Sequence, residues 1–260
     1  MDIDWLLVTV AIAVGTLVGL TGVGAGAIMT PVLVGFFGVS LPVAIATDLV
    51  FATVTKLMGV PFHHRQGSIN WKMVKQLWRG SIPGTLIGVV IVLFFASEEH
   101  AQWLAWPLVA LVLLTAFTLG YRAIRPDRLD KLRLDRKPLH PVIAPAGGFG
   151  IGGAVALTSV GAGALGMALL VRLSPPGVKP RELVGTDLVH AIPIAMIAGL
   201  AYGAAGLISW PTLANLLLGS VPGVIIGSVL AGKVSRRILN AGLSLIMLAA
   251  TILVTQKILG

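Results

Sequence analysis

Long apolar stretches separated by short polar connections make up most of this chain of 260 residues. They occupy residues 3–37, 41–62, 81–96, 103–121, 142–171, 183–210, 213–231 and 238–254. A helix that crosses the hydrocarbon core of a bilayer needs about 20 apolar residues. Charged residues supply only 11% of the sequence, against about 25% in a typical soluble domain. We therefore expect an all-α polytopic membrane protein, since a segment in lipid must satisfy its own backbone hydrogen bonds.

The N-terminal stretch does not have the features of a signal peptide. The chain begins Met-Asp-Ile-Asp, with no Lys or Arg ahead of the first apolar residues, whereas a secretory signal begins with positive charge. We expect this stretch to belong to the mature fold. The chain contains no cysteine, which excludes disulfides and thiol chemistry.

Three motifs occur twice, in the same order and at nearly the same separation. Residues 80–88 read GSIPGTLIG and residues 219–227 read GSVPGVIIG, which places the two copies 139 residues apart. The sequence Thr-Asp-Leu-Val begins at Thr47 and again at Thr186, with the same separation of 139. Upstream, TGVGAGA at 21–27 recurs as TSVGAGA at 158–164, 137 residues later. Chance similarities would not keep this order, so we infer two copies of one structural unit.

Basic residues are concentrated in four of the connections. Of the 19 Lys and Arg residues, 17 lie within 62–79, 121–138, 171–183 and 231–238, while the alternate connections at 38–40, 98–102 and 203–209 contain none. Basic connections tend to remain in the cytoplasm, so this pattern predicts that both termini lie outside it. The net charge of +9 is therefore interpreted as a topology signal, and we expect no nucleic-acid partner.

The two units differ in charge at equivalent connections. The basic segment 65–79 of the first unit corresponds to the uncharged 203–210 of the second, and the acidic 98–99 corresponds to the basic 233–237. Opposite charge at equivalent positions indicates inverted-topology repeats, an arrangement common in secondary transporters. We predict a first transmembrane repeat at 1–123, a basic cytoplasmic linker at 124–140 and a second transmembrane repeat at 141–260.

Glycines interrupt the first apolar segment of each unit. At 1.5 Å per residue the pieces at 5–20 and 27–37 reach only about 17 to 24 Å, so we favour a re-entrant, glycine-broken hairpin over two short full spans. Three transmembrane helices follow in each unit. Irregular backbone at membrane depth lines a cavity or is buried in protein, and glycine amides there can bind an anion. The candidate substrate-binding residues are Thr21, Gly22, Gly24, Gly26, Thr158, Ser159, Gly161 and Gly163, together with Thr47 and Thr186. The alternative is that these small residues only permit close helix crossing.

Asp48 and Asp187 are acidic residues deep within apolar segments, at equivalent positions of the two units. An intramembrane carboxylate is costly and hence a functional candidate. An ionised carboxylate would repel an anionic substrate unless it were protonated, which makes proton coupling a natural role. Helix capping or a hydrogen bond to the preceding Thr is the alternative. His190 lies on the same helix face as Asp187 and is a candidate proton relay, although its counterpart Phe51 cannot titrate.

Four further residues form a candidate inner mouth. We expect Lys56 to extend towards the membrane surface from the inner end of its helix, and His63, His64 and Arg65 to follow it. These groups could attract anions or merely mark the membrane interface. No set of residues has convincing metal-ligand spacing, so we expect neither a resident metal nor a cofactor.

These features resemble the TauE/SafE family of membrane transporters, the sulfite exporters, over essentially the whole chain. The resemblance rests on the glycine turn at 22–26 followed by Pro31, on Ala46-Thr47 at a helix start, and on HHRQGSINW at 63–71 ahead of Gly80. It implies an all-helical permease without ATPase machinery that exports or imports small sulfur-containing anions such as sulfite, thiosulfate or sulfoacetate. Asp48 and Asp187 stand where a small residue would be expected, which leaves the substrate open.

We therefore expect a multi-pass secondary transporter of the inner (plasma) membrane that moves a small sulfur-containing anion with proton coupling. The alternatives are a carrier of another small solute or of a metal ion, with Asp48 and Asp187 as ligands, and a non-transporting membrane protein. An enzyme is not expected, because the sequence contains no local nucleophile–base pair or paired carboxylates. A homodimer is compatible with the sequence.

Overall fold

The computed structural model describes residues 3–21, 26–94, 101–124, 140, 142–161, 163–175, 178–230 and 234–259. These residues form helices joined by short connections, with no strand among them. The helices are α1 (Trp5–Thr21), α2 (Gly26–Gly35), α3 (Leu41–Arg65), α4 (Trp71–Phe94), α5 (Ala101–Ile124), α6 (Ile143–Thr158), α7 (Ala164–Leu173), α8 (Pro180–Ala204), α9 (Trp210–Leu230) and α10 (Arg236–Leu259). The expected all-α polytopic class is confirmed.

Helix length divides these elements into two groups. Six of the described helices are long and apolar enough to cross a membrane, namely α3, α4, α5, α8, α9 and α10. The other four are apolar but shorter, and α2 and α7 have only 10 residues each, which is about 15 Å of helix. In the second unit the two shorter helices, α6 and α7, pack against each other, as the two arms of a hairpin would.

The outer surface of the helices is apolar. Val90, Phe94, Phe117, Leu245 and Ile252 are large side chains that remain exposed, and so many exposed apolar side chains suit lipid rather than water. Exposed tryptophans begin three helices: Trp5 in α1, Trp71 in α4 and Trp210 in α9. Tryptophan is enriched where a membrane meets water, which agrees with helix ends at the interface.

The two halves are interlocked rather than placed side by side. α1 packs against α9 and α4 packs against α6, so the first helix of each half lies on the fourth helix of the other. α3 packs against α8, and α5 against α10. The pairs α3 with α8 and α5 with α10 join helices at equivalent positions of the two units. The pairs α1 with α9 and α4 with α6, called the exchanged helices below, join the first helix of one unit to the fourth helix of the other. The inverted orientation across the membrane remains a prediction, as does the linker at 124–140, most of which lies outside the described residues.

Glycines of the repeated motif hold the exchanged helices close together. A Cβ on Gly80 or Gly84 would meet backbone atoms of Pro145 or Phe149 in α6. The equivalent Gly219, Gly223 and Gly227 meet α1 in the same way, at Val8, Ile12 and Thr16. Small residues at intervals of four allow backbones to approach in membranes. The motif at 80–88 and 219–227 is therefore a helix-packing element that brings α4 against α6 and α9 against α1.

Candidate functional site

The two Thr-Asp pairs lie on α3 and α8, the central pair of packed helices. Asp48 is fully buried and Asp187 is 5% exposed. Burying an ionisable group away from water is costly unless it is compensated. The surroundings of these two carboxylates therefore define the candidate site.

Asp48 is held by hydroxyl groups from both halves. Its Oδ2 atom accepts hydrogen bonds from Thr30 Oγ1 at 2.6 Å and from Ser159 Oγ at 2.8 Å. Thr30 belongs to α2, whereas Ser159 follows the last residue of α6. Its Oδ1 atom is buried and has no hydrogen-bond partner within the described part of the chain. One carboxylate oxygen is thus fixed by the protein, and the other is free to take a proton or a ligand.

Ser159 also shows how the two glycine segments meet. It has the left-handed backbone conformation (φ 59°), which ends α6, and it lies directly against Gly26 at the start of α2. A Cβ on Gly26 would meet the carbonyl oxygen of Ser159 and would come within 3.0 Å of its Oγ. The start of α2 and the end of α6 therefore touch beside Asp48.

The second glycine segment is a tight turn. Gly161 has φ 124°, and its carbonyl oxygen accepts hydrogen bonds from the amides of Leu165 and Gly166 at 3.1 and 3.0 Å. Gly163 directly precedes α7. The hydroxyl of Thr158 is used locally, because it donates to the carbonyl of Ala154 at 2.7 Å. Of the remaining predicted residues, Gly22 and Gly24 lie outside the described residues, as does the side chain of Thr21.

Asp187 has a different environment from Asp48. Its Oδ1 atom is buried without a hydrogen-bond partner in the described chain and lies against Gly166 near the start of α7, where a Cβ would displace the carboxylate. Both carboxylates interact electrostatically with Lys56, but only Asp48 has hydroxyl donors among the residues described. Equivalent positions in the repeat have therefore become chemically distinct.

Lys56 lies with these carboxylates rather than at a membrane-facing mouth. Its side chain is 7% exposed, which differs from the expectation that it extends to the membrane surface. Its burial agrees with the packing of α3 against α8. His64 and Arg65 are exposed, and the ring of His64 packs edge-on against Trp71 at a centroid distance of 6.3 Å. The side chain of His63 lies outside the described part of the structure.

His190 is buried but does not contact Asp187 through a hydrogen bond. Its Nε2 atom lies 3.1 Å from Ser81 Oγ on α4, and its backbone carbonyl accepts a bond from Trp78 Nε1 at 3.2 Å. Its Nδ1 atom has no partner among the described residues. His190 thus connects α8 to α4, and its ring retains one free nitrogen.

Thr47 and Thr186 form a reciprocal pair of contacts between the halves. The hydroxyl of Thr47 accepts a hydrogen bond from the amide of Ser209 at 3.1 Å, and that of Thr186 accepts one from the amide of Asn70 at 2.9 Å. Ser209 and Asn70 directly precede α9 and α4. Each Thr-Asp pair thus binds the N-terminus of a helix from the opposite half.

Three polar residues of this region were not predicted: Thr30, Ser81 and Ser220. Ser81 and Ser220 occupy the same place in the repeated GS-x-PG motif, and Ser220 Oγ is buried without a partner in the described chain. The recurrence of this serine in both copies of the motif was the sequence signal that could have identified the two residues. Thr30 had only its polarity within an apolar helix to mark it. No group of three or more His, Cys, Asp or Glu that could hold a metal ion occurs among the residues described.

Comparison with known proteins agrees with this architecture. The family model described as "Sulfite exporter TauE/SafE" matches residues 7–254. The chain belongs to the TauE/SafE family. This confirms the resemblance drawn from the sequence and assigns the chain to a family of membrane transporters.

Named relatives of this TauE/SafE protein carry a general transporter description. "Probable membrane transporter protein YjnA" of Bacillus subtilis (strain 168) is 37% identical over 252 residues, covering 94% of this chain and 96% of the relative. "Probable membrane transporter protein YdhB" of the same strain is 23% identical and covers 92% and 95%. A "Probable membrane transporter protein" of Xylella fastidiosa (strain Temecula1 / ATCC 700964) is 27% identical and covers 99% and 97%. No solved structure matches this chain.

Proposed function

We propose that this TauE/SafE protein is a proton-coupled secondary transporter that moves small sulfur-containing anions across the plasma membrane. Sulfite, thiosulfate and organosulfonates are the substrate class. The family description names sulfite export, and the relatives are described as membrane transporters. The observation that carries the proposal is the charged centre between α3 and α8, where Asp48, Lys56 and Asp187 are all buried.

Proton coupling is supported by the arrangement of the two carboxylates. Each has a buried oxygen without a partner in the described chain, which gives a proton a place to bind. An ionised carboxylate in this region would oppose an anion, and its protonation removes the opposing charge. A proton and an anion can therefore occupy the centre together more favourably than the anion alone.

The contacts of Thr47 and Thr186 support alternating access. One contact closes the N-terminus of α9 against α3, and the other closes the N-terminus of α4 against α8. With inverted repeats, these closures lie on opposite sides of the membrane. Opening one while keeping the other would expose the centre to one side at a time.

The test is flux into proteoliposomes containing the purified protein. With an alkaline interior, we expect accumulation of at least one of sulfite, thiosulfate, sulfoacetate and taurine, and its loss when a protonophore removes the pH gradient. Liposomes without protein measure passive entry. Absence of flux of all four compounds in both directions would overturn the proposal.

A carrier of another solute or of a metal ion is the second candidate. It is favoured by the free Oδ1 atoms of Asp48 and Asp187, since carboxylate oxygens suit hard cations. The same liposomes, loaded with a divalent-cation indicator, distinguish the two. Uptake of a divalent cation without any sulfur-anion flux would support this candidate.

A further inference from the structure

Lys56 is a cation that the topology of the chain does not explain. Seventeen of the 19 basic residues lie within the four basic stretches at 62–79, 121–138, 171–183 and 231–238, whereas Lys56 lies further inside α3 and is 7% exposed. A charged ammonium at such a place is costly. Other groups in the centre of the molecule must therefore offset the free-energy cost of burying this charge.

The surroundings of Lys56 compensate it only in part. Asp187 and Asp48 attract it, and it also acts electrostatically on His190. These interactions act through space, because no hydrogen bond joins Lys56 to either carboxylate among the described residues. The three N–H donors of the ammonium are consequently not committed to a carboxylate.

Only the first half of the chain supplies this cation. The position equivalent to Lys56 in the second repeat is Ala195, since 195 − 56 = 139. The carboxylates, by contrast, are present in both halves. The duplicated unit therefore supplies two negative groups and a single positive one between α3 and α8.

The charges of these three groups set a condition for anion binding. With both carboxylates ionised and Lys56 protonated, they sum to −1, since +1 − 2 = −1, and a neutral His190 adds nothing. One proton on a carboxylate brings the sum to 0, and a second proton brings it to +1. At short range in a poorly solvated site, such differences decide whether an anion is attracted or repelled.

We propose that Lys56 is the anion-binding residue of the central site, and that Asp48 and Asp187 compete with the substrate for its positive charge. The inference rests on the proposed function and names the group that recognises the substrate. Protonation of a carboxylate releases the ammonium for the anion, which links the two ligands. A compact ammonium with three donors suits a small oxyanion such as sulfite or the sulfonate group.

Binding to the purified protein in nanodiscs tests this role, with sulfite and thiosulfate as the probes in calorimetric titrations. Lys56→Met should weaken binding at least about tenfold, because a hydrogen bond to a charged group is usually worth that factor or more. Lys56→Arg keeps the charge and should bind more tightly than Lys56→Met. Lys75→Met is the matched control, since Lys75 is exposed on α4, and it should bind like wild type.

The double variant Lys56→Met with Asp187→Asn separates substrate recognition from charge balance. It removes one positive and one negative group, so it should recover the thermal stability lost in Lys56→Met without recovering anion binding. Wild-type affinity in the double variant would overturn the proposal and make Lys56 a counter-ion of Asp187 only. The double variant also decides the question if Lys56→Met does not fold.

The wild-type protein separates failure of this inference from failure of the proposed function. If wild type neither binds nor transports a sulfur anion, the proposed function is wrong and the role of Lys56 falls with it. If wild type transports and the double variant binds equally well, the proposed function stands and only the assignment of Lys56 is wrong.

Discussion

Two carboxylates at equivalent positions of a repeat have acquired different chemistry. Asp48 receives two hydroxyl hydrogen bonds, from Thr30 and Ser159. α7, which corresponds to α2, contains no Ser or Thr, and the residue equivalent to Ser159 is Gly22. The second carboxylate therefore cannot obtain the same partners. In place of hydroxyl donors, Asp187 has its electrostatic interaction with Lys56.

The first prediction concerns these two residues singly. Asp48→Asn and Asp187→Asn remove a proton-binding group while keeping its shape. We expect accumulation of the anion driven by a pH gradient to fall at least about tenfold. Exchange of labelled for unlabelled anion, which needs no net proton movement, should persist in each variant.

The measurement compares gradient-driven uptake with counterflow in the same liposomes. Gradient-driven uptake equal to wild type in both variants would contradict proton coupling. The carboxylates would then be structural, as acceptors for Thr30 and Ser159 in one case and as a partner for Lys56 in the other.

At the scale of helices, the repeated glycine motif serves packing. Its glycines at intervals of four face α6 in one half and α1 in the other. The polar member of the motif, Ser81, turns instead towards His190. One short sequence thus brings two helix backbones together and places a hydroxyl beside the candidate site.

The second prediction compares two Gly→Ala substitutions. A Cβ on Gly84 would meet the carbonyl of Phe149 and come within 3.0 Å of its Cα, whereas a Cβ on Gly150 has open space. Backbone atoms cannot move aside as a flexible side chain can, so Gly84→Ala should cost about 1 to 3 kcal/mol. Gly150→Ala, the control on the facing helix, should be as stable as wild type or more stable.

Thermal unfolding in detergent, followed by loss of monodispersity, measures this difference. Gly223→Ala repeats the experiment at the equivalent crossing of α9 with α1, where the added methyl would meet Ile12. If Gly84→Ala and Gly150→Ala unfold at the same temperature, the close packing of α4 against α6 does not depend on the glycine at position 84.

At the scale of the whole molecule, interlocked halves make the orientation of each half decisive. The contacts α1 with α9 and α4 with α6 tie the two units together. If the units are inverted, the connection from α3 to α4 and the equivalent connection from α8 to α9 lie on opposite membrane faces. If they are parallel, both connections lie on the same face.

The third prediction uses equivalent positions in these two connections. Gln66 and Ala205 are separated by 205 − 66 = 139 residues, and both are exposed. The chain has no native cysteine, so Gln66→Cys and Ala205→Cys each supply one reactive thiol. We expect Ala205→Cys to react with an impermeant maleimide on intact cells, and Gln66→Cys to react only after permeabilisation. Labelling of both from the same side would show that the inverted interpretation is wrong.

The sequence by itself determined that the chain lies in a lipid bilayer, that its elements are helices, that its motifs are duplicated and that it resembles the TauE/SafE family. Each of these depends on local properties: apolar segments long enough for lipid, glycine and proline punctuation, and motifs repeated at a fixed separation. It also indicated Asp48, Asp187 and His190 as candidate site residues, because a polar residue is conspicuous inside an apolar helix.

The tertiary structure decided which of these groups meet. Ser159 reaches Asp48 across 111 residues, Asn70 reaches Thr186 across 116, and Ser209 reaches Thr47 across 162. Such contacts depend on helix rotation and crossing, which small residues far away in the sequence control. The same packing buries Lys56 beside two carboxylates, although its sequence position alone predicts a side chain extended to the membrane surface.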